Sequence, residues 1–236
     1  MKKIIAIIMF TMLCAYMIGC GNDNTANSSA EVTADGVAVI ANKPADNTPY
    51  MLDTTYAGAD VPGALYDYPF QKSELYVKNK DLVKDMDSEE IRNYIISATD
   101  YFDAIFGRNY HSILEDQDDF KESIVNLYDT DTFFENEEES TTTDYADDLM
   151  QWYVDNEIEI NADFVSDSSL LYKDTYYYLR GALTLTLQNG DPQAAKDKFG
   201  IDLKNGVPVT IACEAEFIPG DPAHVNGIEL TSYIEE

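Results

Sequence analysis

The chain has 236 residues, of which 44 are acidic and 15 are basic, so its formal net charge is −29. A surface with this charge repels nucleic-acid phosphates and anionic lipid head groups, which argues against nucleic-acid binding and against membrane attachment by electrostatics alone. The hydrophobic fraction of 45%, with 17 tyrosines and 10 phenylalanines, is sufficient for a buried core. The length allows one ordinary domain with tails.

The N-terminal segment has the anatomy of a secretory signal. Lys2 and Lys3 precede an almost wholly apolar run over residues 4–18. This run is shorter than the roughly 20 apolar residues that a membrane-spanning helix needs. We therefore expect residues 1–19 to be a signal peptide.

The residues at the end of this run resemble the lipobox of bacterial lipoproteins. Met17-Ile18-Gly19-Cys20 places a large apolar residue and a small residue before a cysteine. In that family the cysteine thiol receives a diacylglycerol, and cleavage leaves this cysteine as the new N-terminus. The resemblance implies that Cys20 anchors the protein to the extracytoplasmic face of the cell membrane, where two acyl chains give stable attachment. The alternatives are an ordinary secretory signal and an uncleaved anchor.

The lipobox leaves one cysteine without a disulfide partner. Cys14 is removed with the signal and Cys20 is lipidated, so that Cys213 remains alone. It lies on the apolar side of an alternating strand pattern. We interpret Cys213 as a buried structural thiol, with a reactive thiol as the alternative.

The composition divides the remaining chain into a tether and a domain. Residues 21 to about 60 are rich in Asn, Thr, Ser, Ala, Asp and Gly, which is typical of a flexible tether. Residues 66–77, YDYPFQKSELYV, are more apolar and are compatible with an extended segment packed on the domain. We therefore assign residues 20–85 to the lipidated cysteine and tether and residues 86–236 to the domain, and packing of residues 60–85 stays open.

Helical signals come first in the domain. Asp87 is a predicted N-cap, apolar residues then recur at helical spacing, and Gly107 supplies a C-terminal stop. Two further helices are predicted around residues 119–128 and 144–156.

Strand signals follow the helices. Residues 157–165 alternate, and residues 170–187 form a long run rich in Tyr, Leu and Thr. Pro192 opens a short predicted helix, after which two more strands are predicted over residues 207–217 and 225–234. Helices followed by long strands predict the α+β class, with N-terminal helices packed on one face of an antiparallel β-sheet.

The order of these elements resembles the nuclear transport factor 2-like fold. The segments that carry the resemblance are YFDAIFGRNYHSIL, LYDTDTFFENE, YYYLRGALTLTL and VPVTIACEAEFI, within residues 88–236. In that family three helices and a strongly bent antiparallel sheet form a cone whose interior serves as a pocket. Some members, such as polyketide-cyclase-like enzymes, place an Asp or His there for proton abstraction. The resemblance also implies a homodimer formed through the sheet.

The pocket implied by this resemblance singles out His111, Tyr178 and Arg180 as candidate lining residues. His111 follows the first helix, where it is either a general base or a surface histidine. Arg180 is a cation inside an apolar strand, where it either binds an anionic ligand in the cone or pairs with a carboxylate on the solvent face. His224 lies beside a Pro-Gly turn and is expected to be exposed.

The sequence offers no pattern for a metal or a cofactor. Asp129 and Asp131 match the start of a calcium loop, but Phe133 and Phe134 interrupt the ligand pattern. The histidines and cysteines lack zinc spacing, and there is neither a phosphate-binding glycine loop nor a Gly-x-Ser-x-Gly motif. We therefore expect no metal and no cofactor.

Two functions from different classes agree with these features. The first is a non-enzymatic, membrane-anchored extracytoplasmic lipoprotein that binds a protein partner or a small ligand at the cell envelope. The second is a cyclase- or isomerase-like enzyme that uses His111 or a pocket carboxylate. An interior filled with apolar side chains would argue against the enzyme. A transporter's solute-binding subunit is disfavoured, because roughly 150 folded residues are too few for two lobes.

Overall fold

The structure is a computed structural model that describes residues 31–32, 38–41, 61–67, 73–84, 86–128, 132–135 and 138–235. The expected signal peptide, Cys20 and much of the expected tether lie outside these ranges. The calcium-loop positions Asp129 and Asp131 also lie outside them.

The described residues form helices and strands in the following order. The α-helices are α1 (Asn79–Leu82), α2 (Ser88–Phe106), α3 (Tyr110–Glu115), α4 (Gln117–Val125), α5 (Thr142–Asp155) and α6 (Pro192–Phe199). Short 3₁₀ helices cover Gly63–Asp67 and Ser168–Leu170. The strands are β1 (Glu31–Val32), β2 (Ala38–Ala41), β3 (Thr132–Glu135), β4 (Glu138–Thr141), β5 (Glu159–Val165), β6 (Leu171–Lys173), β7 (Tyr177–Asn189), β8 (Pro208–Phe217) and β9 (Val225–Glu235).

One sheet dominates the fold. Its strand order is β1-β2-β9-β8-β7-β5, with β6 paired to β7, while β3 and β4 form a separate hairpin. Neighbours in the sheet are antiparallel except β2 and β9, which are parallel. Register shifts between β8 and β9 interrupt the ladder at two places, and such bulges bend and twist a strand. The predicted α+β class with a largely antiparallel sheet is confirmed.

The longest helix, α2, forms where the sequence predicts it. The Asp87 side chain accepts a hydrogen bond from the Glu90 backbone N–H at 2.8 Å, and Gly107 follows the last helical residue. Such an N-cap satisfies one of the donors that a helix start leaves open. The apolar stripe of α2 is buried, and the helix packs across β5 and β7.

Apolar side chains fill the space between the helices and the sheet. Side chains alternate along a strand, so every second residue of β7 and β8 faces the helices. These helix-facing residues include Leu179, Leu183, Leu185, Ile211, Ala215 and Phe217. Cys213 is among them, is 1% exposed, and has a thiol pKa that burial raises well above its ordinary value. The interpretation of Cys213 as a buried structural thiol is confirmed.

The expected strand over residues 170–187 is a hairpin in the structure. β6 and β7 are separated by a turn in which the Asp174 backbone N–H donates to the Tyr176 carbonyl at 2.8 Å. Leu171 consequently pairs with Leu179 instead of continuing a single strand. The strand-favouring run over residues 170–187 is therefore divided between β6 and β7, because Asp174 and Thr175 form a turn within the run of tyrosines.

A short helix also appears where none was predicted. α3 begins after Asn109, whose side chain accepts a hydrogen bond from the His111 backbone N–H, and it ends at Glu115. The next helix, α4, ends at Val125, earlier than the predicted range of 119–128.

Residues 61–67, which we call the strap, pack on the sheet face that points away from the helices. We call this face the outer face. Leu65 is 1% exposed and lies against Ala182 and Ala212 of β7 and β8. The Tyr66 hydroxyl donates a hydrogen bond to the carboxylate of Asp167, a residue that is itself buried.

Residues 73–84 continue along the same edge of the domain. The Val77 backbone N–H donates to the Lys173 carbonyl at 2.7 Å, and the Asn79 side-chain amide donates to the carbonyls of Ser168 and Leu171. The described parts of residues 60–85 therefore pack on the domain.

Candidate functional site

The outer face brings two of the three candidate pocket residues together. Tyr178 and Arg180 are two residues apart on β7, so their side chains leave the sheet on the same side. In the register of β7 and β8, Tyr178 lies opposite Glu216 and Arg180 lies opposite Glu214. On β9, Glu229 lies opposite Glu214.

Arg180 is held by an ion pair on this face. Its Nε donates to the Oε1 atom of Glu214, and both side chains are largely buried, at 6% and 13% exposed. The guanidinium carbon lies 5.2 Å from the centroid of the Tyr172 ring, and the Tyr172 hydroxyl donates to the same carboxylate oxygen at 3.1 Å. Of the two alternatives for Arg180, the structure shows pairing with a neighbouring carboxylate on the face away from the helices.

A cavity of about 190 Å³ opens beside this ion pair, and we call it the outer-face pocket. Its lining residues are Tyr178, Glu214, Glu216, Gly227, Ile228 and Glu229. The Tyr178 ring stacks on the Tyr172 ring with centroids 5.1 Å apart and an interplanar angle of 16°. The Asn226 side-chain amide donates to Glu216 Oε1 at 2.6 Å, which holds that carboxylate at the rim.

The pocket is electrostatically negative. Burial raises the pKa of the Tyr178 hydroxyl, and the adjacent Glu216 carboxylate raises it further. Neighbouring side chains partly shield the Glu229 carboxyl; this desolvation and the charge of Glu214 raise its pKa, which Arg180 partly offsets. Both shifts arise because added negative charge is unfavourable at this place.

His111 lies elsewhere. It is exposed on α3, where its ring contacts that of Tyr110 with centroids 3.9 Å apart. The neighbouring Asn109 forms an isolated antiparallel β-bridge with Glu159. Glu159 in turn pairs with Asn189, at the C-terminal end of β7. Tyr178 lies eleven residues earlier on that strand, a distance of about 36 Å along an extended chain. The structure therefore does not bring His111 together with Tyr178 and Arg180.

The second histidine is also outside the pocket. His224 is half-buried, with its side chain 32% exposed, and its Nδ1 lies 3.3 Å from Asp221 Oδ2. This contact joins two residues of one loop, and it explains the partial burial of the ring.

The interior on the helix side differs from the outer-face pocket. The helix-facing positions of β7 and β8 carry aliphatic, aromatic and thiol side chains, and none of these positions holds a His, Asp or Glu. One buried hydroxyl in this region, that of Tyr153, donates to the carbonyls of Ile105 and Phe106 at 2.8 and 3.1 Å. The described interior thus gives no support to a proton-abstraction pocket between the helices and the sheet.

Over the described ranges, no group of His, Cys, Asp and Glu side chains is arranged to hold a metal ion. In the same part of the chain, no helix has both the length and the apolar composition needed to cross a membrane.

Sequence reasoning did not assign the acidic wall to a pocket, although alternation places Glu214 and Glu216 opposite the apolar face of their strand. Glu214 and Glu216 alternate with small buried residues along β8, and this pattern predicts that both point to the outer face. The participation of Glu229 and Tyr172 depends on strand register and on the β6–β7 turn, which no local pattern reveals.

Comparisons of the chain with protein-family models, with curated proteins and with solved structures give no match.

Proposed function

We propose that this chain is a membrane-anchored extracytoplasmic lipoprotein, without catalytic activity, that binds a protein partner or a small ligand through the outer-face pocket. The observation that carries the proposal is the cavity lined by Tyr178, Glu214, Glu216 and Glu229 on the outer face. Small-molecule sites usually enclose roughly 300–1,000 Å³. The smaller cavity of about 190 Å³ favours a single side chain of a protein partner over a whole ligand.

The membrane anchor is proposed from the lipobox resemblance at Cys20. The Cys20→Ala variant should be released from membranes or should accumulate as unprocessed precursor, as judged by fractionation and by the mass of the chain. Normal processing together with unchanged membrane fractionation would refute the anchor.

At the level of fold, we propose that the domain is nuclear transport factor 2-like. The support is the position of α2 across β5 and β7, with α4 packed on α2 and α5, and the bulged antiparallel ladder of β7, β8 and β9. The enzyme alternative has no comparable support among the described residues, since His111 is exposed and the helix-facing strand positions are apolar.

The binding role is tested by filling the pocket. A Cβ atom built on Gly227 meets only Glu216 Oε1, at 4.0 Å, so a side chain at this position starts without a backbone or core clash. Gly227→Leu should therefore block the pocket while the thermal unfolding temperature stays close to that of the wild type.

The assay is capture of chemically crosslinked partners from envelope extract by the full-length chain. The matched control is Gln188→Leu, which adds the same side chain at an exposed position near the far end of β7. We expect the wild type and the control to capture a common partner that Gly227→Leu loses. Equal capture by Gly227→Leu would refute binding through this pocket.

A further inference from the structure

The wall of the outer-face pocket combines an aromatic ring with carboxylates. The ring is that of Tyr178, and the carboxylates belong to Glu214, Glu216 and Glu229. Glu214 is paired with Arg180, whereas Glu216 and Glu229 form no ion pair with any lysine or arginine in the described part of the chain. Glu216 is half-buried and Glu229 is exposed, so the charge at these two positions is not neutralised by a described basic side chain.

The same face already shows how it holds a guanidinium. Arg180 donates to a glutamate carboxylate while its guanidinium lies over a tyrosine ring, 5.2 Å from the Tyr172 centroid. Tyr178 stacks on Tyr172 and is the next aromatic ring along the face, with Glu216 and Glu229 beside it. The pocket therefore offers a second position of the same composition, one ring away.

Other occupants fit this pocket less well. Within the described residues the carboxylates are not arranged around a metal position. A second copy of the chain, docked face to face through the sheet, would bring the glutamates of both copies together, and like charges at short range repel. An anion meets the same repulsion from Glu216 and Glu229.

We infer that the outer-face pocket receives an arginine side chain from a basic segment of a partner protein. This inference rests on the proposed function and specifies the chemistry of its partner. The guanidinium would stack on the Tyr178 ring and donate hydrogen bonds to the carboxylates of Glu216 and Glu229. Arginine fits better than lysine because its planar group both stacks on an aromatic ring and forms paired hydrogen bonds with carboxylates.

The charge of the whole chain supports the same partner. A net charge of −29 attracts a basic segment over distances longer than a direct contact, and salt screens this attraction. Steering of this kind raises the association rate, while the pocket determines which side chain is bound.

The test titrates the full-length chain in detergent with a short Gly/Ser peptide that carries one central arginine. A peptide with citrulline in its place has the same shape without the charge. The variants are the Glu216→Gln/Glu229→Gln double variant and the control Asp163→Asn. Asp163 is an exposed carboxylate on the outer face of β5, opposite Thr184 and outside the pocket.

We expect the double variant and the citrulline peptide each to weaken binding by about tenfold or more, and Asp163→Asn by about twofold or less. Equal binding of the arginine and citrulline peptides would overturn the inference. So would an equal loss in Asp163→Asn, because the attraction would then be a general effect of charge. Self-association of the chain that the double variant abolishes would also overturn it, by making a second copy the occupant.

The outcomes separate this inference from the proposed function. A crosslinked envelope partner that Gly227→Leu loses and the double glutamine variant retains would leave the proposed function standing and overturn the arginine assignment. If the peptide binds as expected but no envelope partner is captured, the pocket chemistry is supported and the proposed partner-binding function fails.

Discussion

Removal of the Arg180 charge should destabilise the domain strongly. The Arg180→Met variant keeps most of the side-chain volume but leaves the Glu214 carboxylate without its cation. Both side chains are largely buried, at 6% and 13% exposed, so water replaces the lost partner poorly. The Tyr172 ring also loses the guanidinium that lies 5.2 Å from its centroid.

The magnitude follows from the burial of the pair. Breaking a buried ion pair by removal of one partner costs about 3–5 kcal/mol, because an uncompensated charge remains. Replacement of both partners by apolar residues is often close to neutral. Arg180→Met/Glu214→Leu should therefore recover at least about 2 kcal/mol of the free energy of unfolding that the single variant loses.

The assay is urea unfolding of the full-length chain at neutral pH. The variants are compared only where the free energy of unfolding depends on urea concentration with the same slope as in the wild type. Lys121→Met is the matched control, because Lys121 pairs with Asp147 at 2.6 Å but both side chains are partly exposed, at 32% and 47%. Such a surface pair is worth about 0–1 kcal/mol. If Arg180→Met costs no more than the control, the burial of the outer-face ion pair is incorrect.

Further substitutions test the packing around the site. Leu65→Ala should lower the free energy of unfolding by about 2–5 kcal/mol in urea unfolding, because the strap is part of the core; a loss below about 0.5 kcal/mol would mean that the strap is not packed. Gly181→Ala should lower the unfolding temperature, since its Cβ would lie 2.2 Å from the Phe164 ring, and an unchanged temperature would contradict this packing. Cys213 should resist a thiol reagent in the folded protein and react in urea, because burial disfavours its thiolate; rapid labelling of the folded protein would contradict its burial. Asp87→Ala should lower the free energy of unfolding by about 1 kcal/mol, because α2 loses its N-cap; an unchanged free energy of unfolding would mean that α2 begins elsewhere.

The elements predicted well from sequence are those fixed by local signals. α2 has a side-chain cap at Asp87, helical spacing of apolar residues and a glycine stop at Gly107. The burial of Cys213 followed from alternation along one strand, which needs no knowledge of the partner strands. Such features depend only on the residues of one helix or strand, a stretch of about twenty residues or fewer.

The elements that were missed depend on contacts between distant residues. The strap is short and has no helical or strand period, and its packing depends on Leu65 contacting Ala182 and Ala212, more than a hundred residues later. The reversal between β6 and β7 depends on a short Asp174-Thr175 turn inside a segment of high strand propensity.

The candidate site was only half visible for the same reason. Arg180 stands out as a cation in an apolar strand, yet local sequence left the face of the sheet and the partner of Arg180 open. The register of β8 places Glu214 and Glu216 opposite Arg180 and Tyr178, and the register of β9 adds Glu229. Of the two alternatives for His111, the structure shows the surface histidine, since its side chain is exposed on α3.

The most direct test of the outer-face pocket as the binding surface is photocrosslinking in intact cells. A photoreactive amino acid at position 227 would project from the pocket wall, where Gly227 has room for a side chain. The same amino acid at Ile96, an exposed position on α2, probes the helix side. We predict a discrete crosslinked partner from position 227 and none from position 96. A partner crosslinked from position 96 alone would contradict the account.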